Sequence, residues 1–326
     1  MLLSPGIPEY LSGSSSWAVL VLNPIAFVIF VLLNAGLYTT GVILIRETVI
    51  RWGKGWPSVF TLGLAYGILE EGIALQTLFN PNAGPVGVLG YYGHWLGVSW
   101  VWTAGLLIFH ATISIGLPLV LFGLALPNLK GKSLLSHAKQ RLCFGILTLD
   151  CLVLFGVVNY WPGLPIMIGS FLSVFSLVYI AQRLPKSLID PGFPQPKSPK
   201  QLFILGLLFF PAVILPGGIG SGTGVSPVIP ILLIIVFGYA LQFFLRRWIG
   251  SQENTRQKLA LSTGLVAPVM CFGFLASLSL PVIILADVGF VFFLRRLWRL
   301  SLIRSNPLTA VPSIAFGNDQ PSLPTG

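Results

Sequence analysis

Charge is what this sequence has least of. Asp, Glu, Lys and Arg make up 9% of its 326 residues, against 55% hydrophobic residues, where a soluble globular chain carries about 25% charged residues. That scarcity excludes a soluble domain and a disordered chain alike, since the latter depends on polar residues. Cysteine is nearly absent too: Cys143, Cys151 and Cys271 are the whole inventory, which excludes a disulfide scaffold. All three fall in apolar runs, where a small buried hydrophobe is their ordinary role. The weak alternation of an outer-membrane barrel is missing. No basic region precedes the first apolar run, so no cleavable signal peptide is expected. What is present is a mean hydropathy of +0.87 and a series of apolar stretches of transmembrane length. The expectation is an all-α polytopic membrane protein of the cell membrane, with the lipid bilayer as its first partner.

Cut at Pro, Gly and charge clusters, the runs give nine candidate spans: 18–45, 58–79, 98–126, 142–159, 165–182, 201–216, 226–245, 259–277 and 280–294. As one helix, 259–294 would be about 54 Å long, beyond any bilayer core, so a break is placed near 277–281. The 19 basic residues then fall strictly in alternate segments. Arg46, Arg51 and Lys54 follow span one; Lys130, Lys132, Lys139 and Arg141 follow span three. Arg183, Lys186, Lys197 and Lys200 follow span five, and Arg246, Arg247, Arg256 and Lys258 follow span seven. Arg295, Arg296, Arg299 and Arg304 follow span nine. By the positive-inside rule the N-terminus is outside and the C-terminus cytoplasmic. The formal +10 is therefore a topology signal and requires no nucleic acid partner. The domain reading is a short N-terminal segment (1–17), a five-span bundle (18–182), a Pro-rich cytoplasmic linker (183–200), a four-span bundle (201–296) and a basic, then disordered, tail (297–326). The stretch 46–56, with Trp52 and Trp56 beside Arg51 and Lys54, reads as a helix on the cytoplasmic interface.

With every Lys and Arg in loops, Glu70, Glu71, His110, Asp150 and Asp287 stand inside spans with no basic partner. Intramembrane ionisable groups are costly and are functional candidates by default. Glu70 and Glu71 follow Gly63 and Gly67 on a small-residue stripe that admits a neighbouring helix. Adjacent helix residues diverge by roughly 100°, so one Glu is expected to aim at a given site; alternatively the pair marks a wetted helix end near Gln76, Asn80 and Asn82. His110 shares a face with Thr103 and Ser114, either as a site residue or as an interhelical hydrogen-bonding one. Spans two and three are joined outside, which puts Glu70 or Glu71 and His110 at matched depth. There a Glu could act as general base on a water, or Glu and His could ligate zinc or another divalent metal. His94, in an aromatic outer loop, is a further candidate or an interfacial residue.

The run from Leu64 to Gly72, ending Glu70-Glu71-Gly72, resembles the EExxxR motif of the CPBP family, the CAAX-protease and bacteriocin-processing intramembrane endopeptidases. Leu107–Ser114 is similar to its HxxxN helix, and His94 falls at the place of its FxxxH element. Leu75, Gly90 and Ser114 stand where the family has Arg, Phe and Asn. The resemblance implies a glutamate intramembrane peptidase or a relative that has lost catalysis. In it Glu70 is the base, Glu71 its partner, His94 the assisting histidine, and His110 with Ser114 the oxyanion side. It also implies a membrane-embedded or lipidated peptide as substrate.

The alternative is a proton- or cation-coupled carrier using Glu70, Glu71, Asp150 and Asp287. The glycine-rich run 217–224 lacks the Lys and the preceding strand of a phosphate loop, and is expected to be a turn or re-entrant bend.

Overall fold

The structure is a computed structural model and describes residues 5–11, 23–186, 197–248, 255–276 and 281–304. The expected break near 277–281, the middle of the Pro-rich linker and the expected disordered tail therefore lie outside the described residues, apart from Pro281.

Apolar composition and the absence of any polar alternation make helix after helix. α1 is Pro24–Arg51. α2 is Trp56–Gly67, continued without a break by a π-helical segment, Ile68–Ala74. A short hairpin, β1 (His94–Trp95) and β2 (Val98–Ser99), leads into α3. This rod runs as Trp100–Phe109, a π-helical His110–Gly116 and Leu117–Ala125. Then come α4 (His137–Val158), α5 (Leu164–Arg183), α6 (Pro199–Thr223), α7 (Val228–Trp248), α8 (Thr255–Ala276) and α9 (Pro281–Arg304). Among the described residues six stretches, Phe27–Arg51, Trp100–Ala125, His137–Val158, Leu164–Arg183, Pro199–Thr223 and Thr255–Leu275, are long and apolar enough to cross a membrane. The fold is that of an all-α multi-pass membrane protein.

Local signals set the ends. Ser136 caps α4 by accepting from Lys139 N, and Ser198 with Gln201 forms a full capping box ahead of Pro199 on α6. Two expectations change. The stretch 46–56 is the end of α1 and a turn through Gly53 (φ 64°), because α1 keeps its hydrogen bonding to Arg51. The glycine run 217–224 is helical to Thr223: its missing side chains admit Val101 and Leu89 at Gly217 and the Tyr92 ring at Gly220.

α3 is the central rod. Its Ile113, Leu117 and Leu121 join a core with α6, α8 and α9, while Ile115 faces a second core made by α1, α2, α4 and α5. A π-helical turn near the N-terminus, Gly6–Leu11, buries Ile7 and Leu11 in the first of these cores. Outward faces of α4, α5 and α7 are lined by exposed Leu, Ile, Val and Phe, as lipid contact requires.

Candidate functional site

The small-residue stripe of α2 does what its spacing predicts. A Cβ at Gly63 would lie 2.7 Å from Ala111 Cα, and one at Gly67 would lie 2.9 Å from a Leu107 methyl and 3.3 Å from His110 Cβ. Only glycine lets α2 and α3 approach this closely, and the approach is what carries His110 onto the acidic pair.

Both halves of the site ride on π-helical turns. In α2, Leu75 N bonds Glu70 O at 2.7 Å, five residues back; in α3, Leu117 N bonds Thr112 O in the same way. Such wide turns are rare and recur at functional sites. Widening the turn reduces the divergence of consecutive side chains, and here both glutamates reach one imidazole. Glu70 Oε2 is 3.3 Å from His110 Nδ1, and Glu71 Oε1 is 3.2 Å from His110 Nε2. The expectation of a single aimed glutamate gives way for two reasons: the α-helical angle does not apply, and the ring offers a nitrogen on each side. Nor is the pair a wetted helix end, since Glu70 is 0% and Glu71 8% exposed.

The two acids are held differently. Glu71 accepts a hydrogen bond from Thr77 Oγ1, which in turn accepts one from Trp102 Nε1 at 3.2 Å. Neither oxygen of Glu70 has a hydrogen-bond partner; its polar neighbours are His110 and the hydroxyls of Tyr38 and Tyr66. The imidazole lies between those two tyrosines, stacked on Tyr38 at 6.4 Å and edge-on to Tyr66 at 6.1 Å between ring centres. Ser114 Oγ is 3.0 Å from His110 Nδ1. Tyr38 donates to Glu9 on the Gly6–Leu11 turn at 2.5 Å, so a third carboxylate borders the site. Two buried carboxylates around one imidazole need a proton or a cation beyond what the histidine alone can supply. Glu70, Glu71 and His110 present donor atoms within 4.8 Å of one another, and carboxylate oxygens and imidazole nitrogens are both donor types that zinc accepts.

The remaining expected residues lie apart from this group. His94 sits on β1 with Nδ1 3.0 Å from Ser99 Oγ, itself donating to Gly90 O. Asp150 on α4 packs against Gly36 of α1, where a Cβ would come within 2.0 Å of its Oδ2; that oxygen has no hydrogen-bond partner. Asp287 on α9 likewise has an unpartnered Oδ1. Neither belongs to the three-residue donor set. Sequence reasoning missed Tyr66, although it stands one helical turn before Glu70. It also missed Tyr38, Thr77, Trp102 and Glu9, whose approach depends on tertiary packing.

No protein-family model matches this chain, and neither a curated protein nor a solved structure was found to resemble it.

Proposed function

We propose that this chain is an intramembrane hydrolase of the glutamate type, of the chemistry the CPBP resemblance implies, acting on membrane-embedded or lipidated peptides. One observation carries the reading: Glu70 is fully buried and lies 3.3 Å from His110 Nδ1, with the Tyr38 and Tyr66 hydroxyls as its other polar neighbours. A carboxylate buried in low dielectric, with no arginine or backbone N–H to neutralise it, is a strong base for a water that enters beside it. In the proposed reaction Glu70 takes a proton from water as its oxygen bonds the scissile carbonyl carbon. The resulting oxyanion is stabilised from the His110 side, and Glu70 returns the proton to the leaving amine as the C–N bond breaks. Glu71, fixed by Thr77, orients the imidazole through Nε2. Ser114, where the family has Asn, steadies Nδ1; His94, bonded to Ser99, is assigned no step. If a divalent ion is bound, Glu70, Glu71 and His110 would hold it, and it would supply charge neutralisation and a polarised water.

The reading includes nine crossings, an outer N-terminus and a cytoplasmic C-terminus in the cell membrane, as the basic residues indicate. Substituted-cysteine labelling from each side of intact cells tests that topology. The catalytic claim is tested in proteoliposomes with a fluorogenic membrane peptide library. Cleavage by the unaltered chain and its loss in both Glu70→Gln and His110→Ala is the expected result; cleavage that persists in both variants overturns the assignment.

A second reading, a proton- or cation-coupled carrier, draws on the unpartnered oxygens of Asp150 and Asp287. Ion-driven uptake that is lost in Asp150→Asn and in Glu70→Gln, in vesicles showing no peptide cleavage, would favour it.

A further inference from the structure

At the end of α1 and α4 where the basic residues gather, a groove of about 600 Å³ opens between the two helices, lined by Leu44, Thr48, His137, Gln140, Arg141 and Phe144. Its walls divide by chemistry. Leu44 and Phe144 lie toward the span interiors, Phe144 being 64% exposed, while His137, Gln140 and Arg141 lie on the first turn and a half of α4. The His137 ring is backed by Arg51, whose Nη1 is 2.8 Å from Nε2. That arrangement uses the imidazole as an acceptor and sets the guanidinium charge behind the His137 wall of the groove. Arg51 also donates to Leu135 O and keeps its Nε unpartnered.

The local charge is one-sided. The acid of this region, Glu47, is engaged by Arg46, by Ser133 Oγ at 2.7 Å and by the backbone N–H groups of Leu134 and Leu135. Arg141 has no ion-pair partner among the described residues, and Lys139 is exposed on the same turn. An apolar slot along the spans that ends in a cationic mouth at the helix ends matches an amphiphile with an acyl chain and an anionic head. Basic pockets between membrane helices bind acidic lipid headgroups for this reason.

We propose that the α1–α4 groove is a binding site for an anionic phospholipid. The phosphate sits against Arg141 and the Arg51–His137 pair, and an acyl chain lies over Leu44 and Phe144. The site is independent of the hydrolytic reading, since it uses none of the residues of the Glu–His group.

The test is native mass spectrometry of the full chain, released from nanodiscs holding equal phosphatidylglycerol and phosphatidylcholine. Retention of phosphatidylglycerol over phosphatidylcholine is expected. One surface basic residue is worth about 1 kcal/mol toward an anionic head, so Arg141→Gln should lower the preference about fivefold. Lys132→Gln, at the same end but outside the groove, should leave it unchanged. Phe144→Ala should weaken retention of lipid without altering headgroup preference. Equal retention of the two lipids by the unaltered chain overturns the proposal, as do equal losses in Arg141→Gln and Lys132→Gln, which would mean diffuse surface charge. Displacement of phosphatidylglycerol by millimolar glycerol phosphate would transfer the site to a free phosphate compound.

Discussion

Two buried glutamates of this chain are surrounded in opposite ways. Glu47, at the basic end of α1, is 1% exposed and saturated: an arginine, a serine hydroxyl and two backbone N–H groups point at it. Beside it Arg46 reaches Leu129 O at 2.7 Å and Lys132 O at 2.9 Å, so the pair staples the 129–135 loop to α1. Glu70, equally buried, has no arginine and no backbone N–H pointing at it, only an imidazole and two tyrosine hydroxyls beside it. Burying an acid is costly in both places. At Glu47 the structure satisfies the charge completely, which holds a loop and leaves nothing to react. At Glu70 no arginine or backbone N–H meets the charge, which on the proposed hydrolase reading leaves it available as a base. Saturation thus separates the structural acid from the one proposed as the base, where burial alone does not.

The sharpest way to test the contrast is to remove each charge and ask which property fails. If Glu70 is the base of the proposed peptidase, Glu70→Gln should lower peptide cleavage by about 10²–10⁴-fold, the range for loss of a general base, with an unchanged melting temperature in detergent. Glu47→Ala should do the reverse. It strands Arg46 and leaves two loop N–H groups without their acceptor, and breaking a buried ion pair costs about 3–5 kcal/mol. Thermal unfolding in detergent measures that loss, with cleavage per folded molecule unchanged. If Glu70→Gln instead melts early at full activity, the roles of the two acids are exchanged.

How legible each region is in the sequence follows from the same physics. The membrane class, the Glu70–Glu71–His110 association and the Gly63/Gly67 contact follow from hydropathy, matched depth and residue size, all of which are written in the chain locally. Glu47 carries no such mark: it stands beside Arg46 in the basic stretch after span one, and its serine and backbone donors come from residues more than 80 positions away. The two π-helical turns leave no trace in apolar periodicity either, so the joint aim of both glutamates had to be seen in three dimensions. His94 matches a motif position, and what the sequence does not show is the β1–β2 hairpin that sets its ring against Ser99.

The next contrast is steric. Gly67→Val puts side-chain atoms where Leu107 and His110 already lie, and overpacking of this kind costs about 1–3 kcal/mol. Because the displaced group is His110, cleavage should fall further than stability does. Gly145→Ala, on α4 with open space at its Cβ, is the control and should leave both nearly unchanged. Equal stability losses in the two variants would remove the close α2–α3 approach as the device that positions the site.

The smallest expected effect lies between the two extremes, at Glu71, which is partly saturated. Thr77 donates to its Oε2 and Trp102 donates to Thr77, so the carboxylate is steadied on one side and free to face His110 on the other. Thr77→Val keeps the shape of the side chain and deletes that bond. A hydrogen bond to a charged group is worth about 1.5–3 kcal/mol, so if Glu71 orients the imidazole, kcat should fall by roughly tenfold or more with KM little changed. Trp102→Phe acts one bond further out through a neutral donor, worth about 1 kcal/mol, and should cost only a few-fold. The ordering matters more than either size. A chain of donors ending on Glu71 predicts that the Trp102 effect disappears in the Thr77→Val background, since the bond through which it acts is already gone. Additive losses in the double variant would show that Trp102 serves packing alone, and Glu71 would then stand closer to the saturated acid than to the open one.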